Sequence, residues 1–150
     1  DLKTTQFRFS ARMNTYSRLG RQSTLKTGIQ AGWLEGKRLL LNELFQLGGL
    51  KTLRGFDEEF LYASRYWIGT LEYRYLLSSN SYMYTFADFG RLLRPLPKGS
   101  FVGNYAGFGF GISLATGAGQ LNLAYAAGKN NDLPINFRES KLHFGFISLF

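Results

Sequence analysis

Apolar and polar side chains alternate with a period of two along most of this chain, in blocks long enough to be read as strands. In residues 6–15, Phe7, Phe9, Ala11 and Met13 interleave with Gln6, Arg8, Ser10, Arg12 and Asn14. In residues 24–35, Leu25, Ile29, Ala31 and Trp33 oppose Lys26, Gly28, Gln30 and Gly32. Residues 65–77 set Trp67, Leu71, Tyr73 and Tyr75 against Thr70, Glu72 and Arg74, and residues 82–91 put Asp88 on the parity of Tyr84 and Phe86. Residues 105–116 alternate Phe108, Phe110, Ile112 and Leu114 with Gly107, Gly109, Gly111 and Ser113. Leu121, Leu123 and Tyr125 oppose Gln120, Asn122 and Ala124 in residues 120–127, and a last strand is expected over 141–150. The first two blocks are long for soluble strands and close to the roughly 9–11 residues that a tilted strand needs to cross a bilayer.

The connections sharpen this picture. Residues 18–22, 78–81 and 117–119 make short links, whereas 36–64, 92–104 and 128–140 make long ones. Strict alternation of short and long is the pattern of an antiparallel membrane barrel, with tight turns at one end and loops at the other. A soluble β-sandwich has no reason to segregate its long loops in this way. The count is seven strands, while single-chain bacterial barrels usually have an even number. Either residues 38–45 hold an eighth strand, or the chain is part of a larger barrel.

Composition fits a sheet with one face in lipid and one in water. Hydrophobic residues make up 45% and aromatic residues 17%, yet the mean hydropathy is −0.15. No stretch approaches the roughly 18 apolar residues of a membrane helix, so only strands could span a bilayer. The sequence begins at Asp1 with no signal peptide, as a processed or truncated product would.

The net charge of +8 is spread from Arg8 to Lys141 without a dense run. Cations of this kind suit anionic lipid headgroups or lipopolysaccharide and argue against nucleic acid. Cysteine is absent and His143 is the one histidine, so no metal site, no cofactor site and no hydrolase triad is expected. Gly107, Gly109 and Gly111 lie within a strand and lack the helix that a dinucleotide loop requires, so they read as a flat inner wall.

The most informative segment is residues 43–56, where Gly48-Gly49 precedes the tip Leu53-Arg54-Gly55-Phe56. It resembles the long surface loop of the BamA/TamA superfamily, the bacterial surface antigen type of outer-membrane insertases and translocators, whose tip reads Val-Arg-Gly-Phe. Gly69-Thr70-Leu71-Glu72-Tyr73-Arg74 is similar to the family's next strand, and Phe86-Ala87-Asp88-Phe89-Gly90 matches its Phe-x-Asp-x-Gly pattern. In the final strand Leu142, Phe144, Phe146 and Phe150 share one parity, which resembles the signal for assembly of outer-membrane barrels.

The resemblance implies an all-β fold: the C-terminal strands of a sixteen-stranded antiparallel transmembrane barrel, with a long extracellular loop folded inward. It also implies one barrel domain over 1–150, periplasmic domains outside this chain, and a place in the bacterial outer membrane. The expected work is insertion or translocation of unfolded client proteins, aided by accessory subunits, without enzymatic chemistry. Arg54 would lock the loop by pairing with Glu72 and Asp88, whose shared parity directs both carboxylates inward. Gly48, Gly49 and Gly55 would supply the backbone freedom, and Phe56 would complete the tip. Two other roles leave the same motifs in place: the membrane anchor of a larger secreted patatin-like phospholipase, or a short barrel acting as scaffold in an outer-membrane complex.

Overall fold

The computed structural model describes residues 5–37, 39–131 and 139–148. Seven long strands form one antiparallel sheet: β1 (Gln6–Arg18), β2 (Ser23–Gly36), β5 (Arg65–Ser78), β6 (Ser81–Pro95), β7 (Ser100–Thr116), β8 (Gly119–Asn130) and β9 (Lys141–Ser148). Their order in the sheet is their order in the chain, so each strand is joined to its neighbour by a simple up-and-down step. Among the described residues the sheet is open, with β1 at one edge and β9 at the other.

Alternation decides which way each side chain points, because successive residues of a strand project to opposite faces. Phe7, Phe9 and Met13 on β1, Trp67, Leu71 and Tyr73 on β5, and Leu142 and Phe144 on β9 stand on one face and are exposed. The opposite face carries Tyr66, Ile68, Tyr84, Phe86, Ala124 and Ala126, all buried. What buries them is the long connection between β2 and β5. It contains a short 3-10 turn (Leu41–Glu43) and a small hairpin of β3 (Phe45–Leu47) and β4 (Leu61–Ala63).

The core therefore lies between loop and sheet. Leu44, Phe45, Leu47, Leu53 and Ala63 from the loop pack with Leu34, Tyr66, Ile68 and Leu92 from the strands. Leu53 is wholly enclosed; burying such a side chain stabilises by about 1.5–3 kcal/mol. We call the covered side the inner face and the apolar, exposed side the outer face.

Two expectations change, and a third lies partly outside the described residues. Residues 92–104 do not form a long loop: Leu93 pairs with Val102 and Pro95 with Ser100, so β6 and β7 run on to a four-residue turn closed by the Leu96 amide on the Gly99 carbonyl. The ladder continues because the backbone groups on both sides stay in register, and Gly99 supplies the positive φ that closes it. Long and short connections therefore do not alternate strictly. Residues 39–45 add no eighth strand to the sheet; they hold the 3-10 turn and the start of the separate hairpin, and Arg38 lies outside the described residues. The last strand is described to Ser148, so Phe150 also lies outside the described residues.

Candidate functional site

The loop tip reaches the inner face where β5 and β6 carry their acidic residues. Register places Thr70 opposite Asp88 and Phe86 opposite Glu72, so the two carboxylates are diagonal neighbours on one face. The Arg54 guanidinium lies between them. Its Nε donates to Asp88 Oδ2 at 2.7 Å and its Nη2 to Asp88 Oδ1 at 2.8 Å, a two-pronged pairing. Its Nη1 donates to Glu72 Oε2, and the Arg54 backbone amide also donates to Asp88 Oδ2 at 3.2 Å.

Every remaining oxygen is used. Thr70 Oγ1 donates to Asp88 Oδ1 at 2.9 Å, and Arg74 Nε donates to Glu72 Oε1 at 2.7 Å. Among the described residues no buried side-chain nitrogen or oxygen lacks a partner. The guanidinium also lies over the Phe86 ring, 3.6 Å from its centroid, where the ring's negative face favours a cation. Arg54 is 6% exposed, Glu72 3% and Asp88 fully enclosed. Burial opposes the Arg54 charge, but the hydrogen bonds and charge of Asp88, then of Glu72, outweigh it and hold its pKa above the usual guanidinium value. A buried charge set of this kind holds only when every charge is paired and hydrogen-bonded.

The backbone makes the approach possible. A Cβ on Gly107 of β7 would stand 1.8 Å from the Arg54 carbonyl oxygen, so only a bare strand lets the tip lie flat. Gly55 has φ +95° and its own Cβ would meet the Ala127 backbone at 2.7 Å. Gly48 and Gly49 open the turn; the Gly49 amide donates to the carbonyls of Leu53 and Phe56. Phe56 packs edge-on against Tyr105, with centroids 5.4 Å apart.

Other contacts were not singled out by the sequence pattern. His143 of β9 is buried, and its Nε2 accepts the Gly55 amide at 3.1 Å. Lys141, also on β9, pairs with Asp57 at 2.9 Å. On the far side of the sheet, Arg12 of β1 donates to the Lys51 carbonyl at 3.1 Å and to Gln30. The tip is thus tied to β1, to β5 and β6, and to β9. The sign that could have revealed His143 is its parity, which puts it on the inner face opposite Ala124. Of the residues proposed for the final strand signal, Leu142, Phe144 and Phe146 are exposed on the outer face and make no part of this cluster.

The arrangement holds the loop tip against the inner wall. Arg54, Glu72 and Asp88 are all engaged with one another or with neighbouring side chains, and among the described residues no three histidine, aspartate or glutamate side chains gather as metal ligands. The model of the Omp85 superfamily domain matches residues 2–146. No curated protein matches the chain.

Proposed function

Because the chain belongs to the Omp85 superfamily, the outer-membrane insertases and translocators, we propose that it forms strands of a BamA-like transmembrane barrel whose loop is locked inside by Arg54. In this reading the outer face meets lipid and the inner face lines a water-filled lumen. The sheet strands β1, β2, β5, β6, β7 and β8, of 12–17 residues, are more than long enough for the roughly 9–11 that a tilted crossing takes. The loop enters from the outside and rests on the wall formed by β5, β6 and β7. The work is insertion of barrel proteins, or translocation of secreted ones, with unfolded clients and accessory subunits as partners.

The observation that carries the proposal is the buried pairing of one loop arginine with carboxylates from two neighbouring strands. A loop that only covered the lumen could use apolar packing alone. Replacing a buried ion set by apolar residues is often neutral or stabilising, so ionic pairing contributes position more than stability. A guanidinium fork fixes both distance and orientation, which suits a loop whose place must be kept while a client passes.

The test is Arg54→Ala in cells that depend on this protein. The expected result is a barrel that still reaches the outer membrane at near wild-type level, with client assembly or secretion reduced severalfold. Full activity in that variant would sink the proposal. Loss of the barrel itself would mean that Arg54 serves folding, and the conservative Asp88→Asn variant then separates the two roles.

A further inference from the structure

The outer face is not uniformly apolar. Near its loop side, Arg65 stacks on Trp33, with its guanidinium carbon 3.8 Å from the ring centroid. Arg65 stands directly opposite Trp33 across the β2–β5 ladder, and Arg91 directly opposite Trp67 across the β5–β6 ladder. Arg65 and Arg91 are diagonal neighbours, about 7–8 Å apart by strand geometry. Two residues further along β6, Phe89 pairs with Ala106, which pairs with Lys129. Trp67 forms a wall shared by two shallow grooves, one floored by Ala31 and flanked by both arginines, the other reaching Lys129.

The three cations lie on a line oblique to the strands. Each step from β5 to β6 and on to β8 moves one pair deeper from the loop side. On the loop side β8 ends at Asn130, and β9 starts deeper, at Lys141 opposite Ala126. A strand tilt of about 35–45° brings such a line near the membrane plane. Cations on a lipid-facing surface cost least at the interface, where tryptophans also collect because their rings are part apolar and part polar.

Among the described residues, the side chains of Arg91 and Lys129 have no hydrogen bond or ion pair. Arg65 has one exposed acidic neighbour, Glu35, at 3.7 Å, and Glu35 also accepts the Trp33 indole N–H at 3.1 Å. That contact holds Arg65 flat on the ring and leaves the rest of its donors facing outward. Among the described residues named here, the balance is three cations to one carboxylate.

We propose that Arg65, Arg91 and Lys129, framed by Trp33, Trp67 and Phe89, bind the phosphate groups of a phosphorylated lipid in the outer leaflet. The guanidinium fork matches a phosphate oxygen pair, the lysine adds a second point of charge, and the apolar face below takes the acyl chains. The site rests on the membrane reading of the preceding section and names the lipid class that reading leaves open.

Trp33 and Trp67 are the chain's two tryptophans, so their fluorescence reports on this site alone. The full protein that carries this chain, with any tryptophan outside these 150 residues replaced by phenylalanine, is reconstituted in phosphatidylcholine vesicles carrying a minor fraction of brominated phosphatidic acid or of brominated phosphatidylcholine. Phosphatidic acid should quench about threefold more strongly at equal content, given a favourable interaction of about one ion pair's strength per arginine near an anionic surface. The excess should vanish in the Arg65→Gln/Arg91→Gln variant, whose quenching by brominated phosphatidylcholine is retained as proof of insertion. Equal quenching by the two lipids in the wild type, with insertion intact, would overturn the site and leave the membrane reading standing. Removal of the excess by millimolar inorganic phosphate would also overturn it, since the site would then prefer a free anion. No quenching by either lipid would overturn both.

Discussion

Arg54 is the residue on which the loop's position turns. Its two carboxylates were placed on one face by parity alone, because Glu72 and Asp88 both occupy even positions among inward-facing neighbours. Their one-pair offset could not be read that way: register between strands depends on turn geometry, and the β5–β6 turn carries an irregularity at Leu76 and Ser78. His143 was legible as inward-facing but not as a partner of the loop, since a contact across 88 residues leaves no local trace. Its Nε2 accepts a hydrogen bond, so the imidazole is neutral with its proton on Nδ1, toward Glu58 at 4.0 Å. Protonation would put a second donor against the Gly55 amide. The groups facing this histidine are Glu58, Asp57 and Arg54 of the loop and Lys141 of its own strand. We expect amide exchange at the tip, taken relative to its intrinsic rate at each pH, to accelerate as pH falls through the range in which a histidine takes up its proton. In His143→Gln, whose carbonyl oxygen accepts at any pH, that acceleration should disappear; an unchanged pH profile would remove His143 from the account.

At the scale of elements, the alternating pattern located all seven sheet strands, and its failures have a common cause. It took Pro95 and the glycines near residue 99 as the middle of a loop, where they close a hairpin that extends β6 and β7 beyond their neighbours. It also left the β3–β4 hairpin unseen, because three-residue strands are too short to show a period. The glycine-alternating β7 was legible as a bare wall, and the structure adds what lies on it, the Arg54 carbonyl. Gly107→Ala should therefore dislodge the tip while sparing the sheet, at about 1–3 kcal/mol for overpacking; protease cleavage within residues 48–58 is the readout, and a loop as resistant as wild type would contradict the packing. The two faces of the strands should also differ in tolerance. Leu71→Arg on the outer face should cost about 2–4 kcal/mol in a bilayer, against less than about 1 kcal/mol for Asn122→Arg on the inner face. Unfolding in lipid vesicles by urea measures both, and equal costs would argue against a lipid-facing outer surface.

For the whole molecule, the unusual feature is where the core sits. An isolated seven-stranded sheet has two faces to cover. Here one is covered by the chain's own loop, and the other bears large exposed side chains such as Phe7, Met13 and Phe144. An apolar surface of that extent marks contact with a membrane or partner. Among the described residues the outer edges of β1 and β9 have no neighbouring strand, and within a bilayer every backbone polar group must be paired. In the proposed barrel these edges would be paired with further strands. The loop ties to both edge regions, through Arg12 and Lys51 on one side and through His143 and Lys141 on the other. In consequence, freeing the tip should loosen its ties at both edges while the ladders of the sheet stay intact.

The most direct measurement is hydrogen exchange over residues 48–56, in a lipid bilayer, in wild type and in Arg54→Ala. The amides of Gly48, Gly49, Leu50, Thr52, Arg54 and Gly55 all donate to partners within the loop or on the wall. The account expects slow exchange there in the wild type. In the variant it expects at least tenfold faster exchange, because breaking a buried pair costs about 3–5 kcal/mol, with the amides of β5 and β6 unaffected. Fast exchange in the wild type, or a loop equally protected without the arginine, would contradict it.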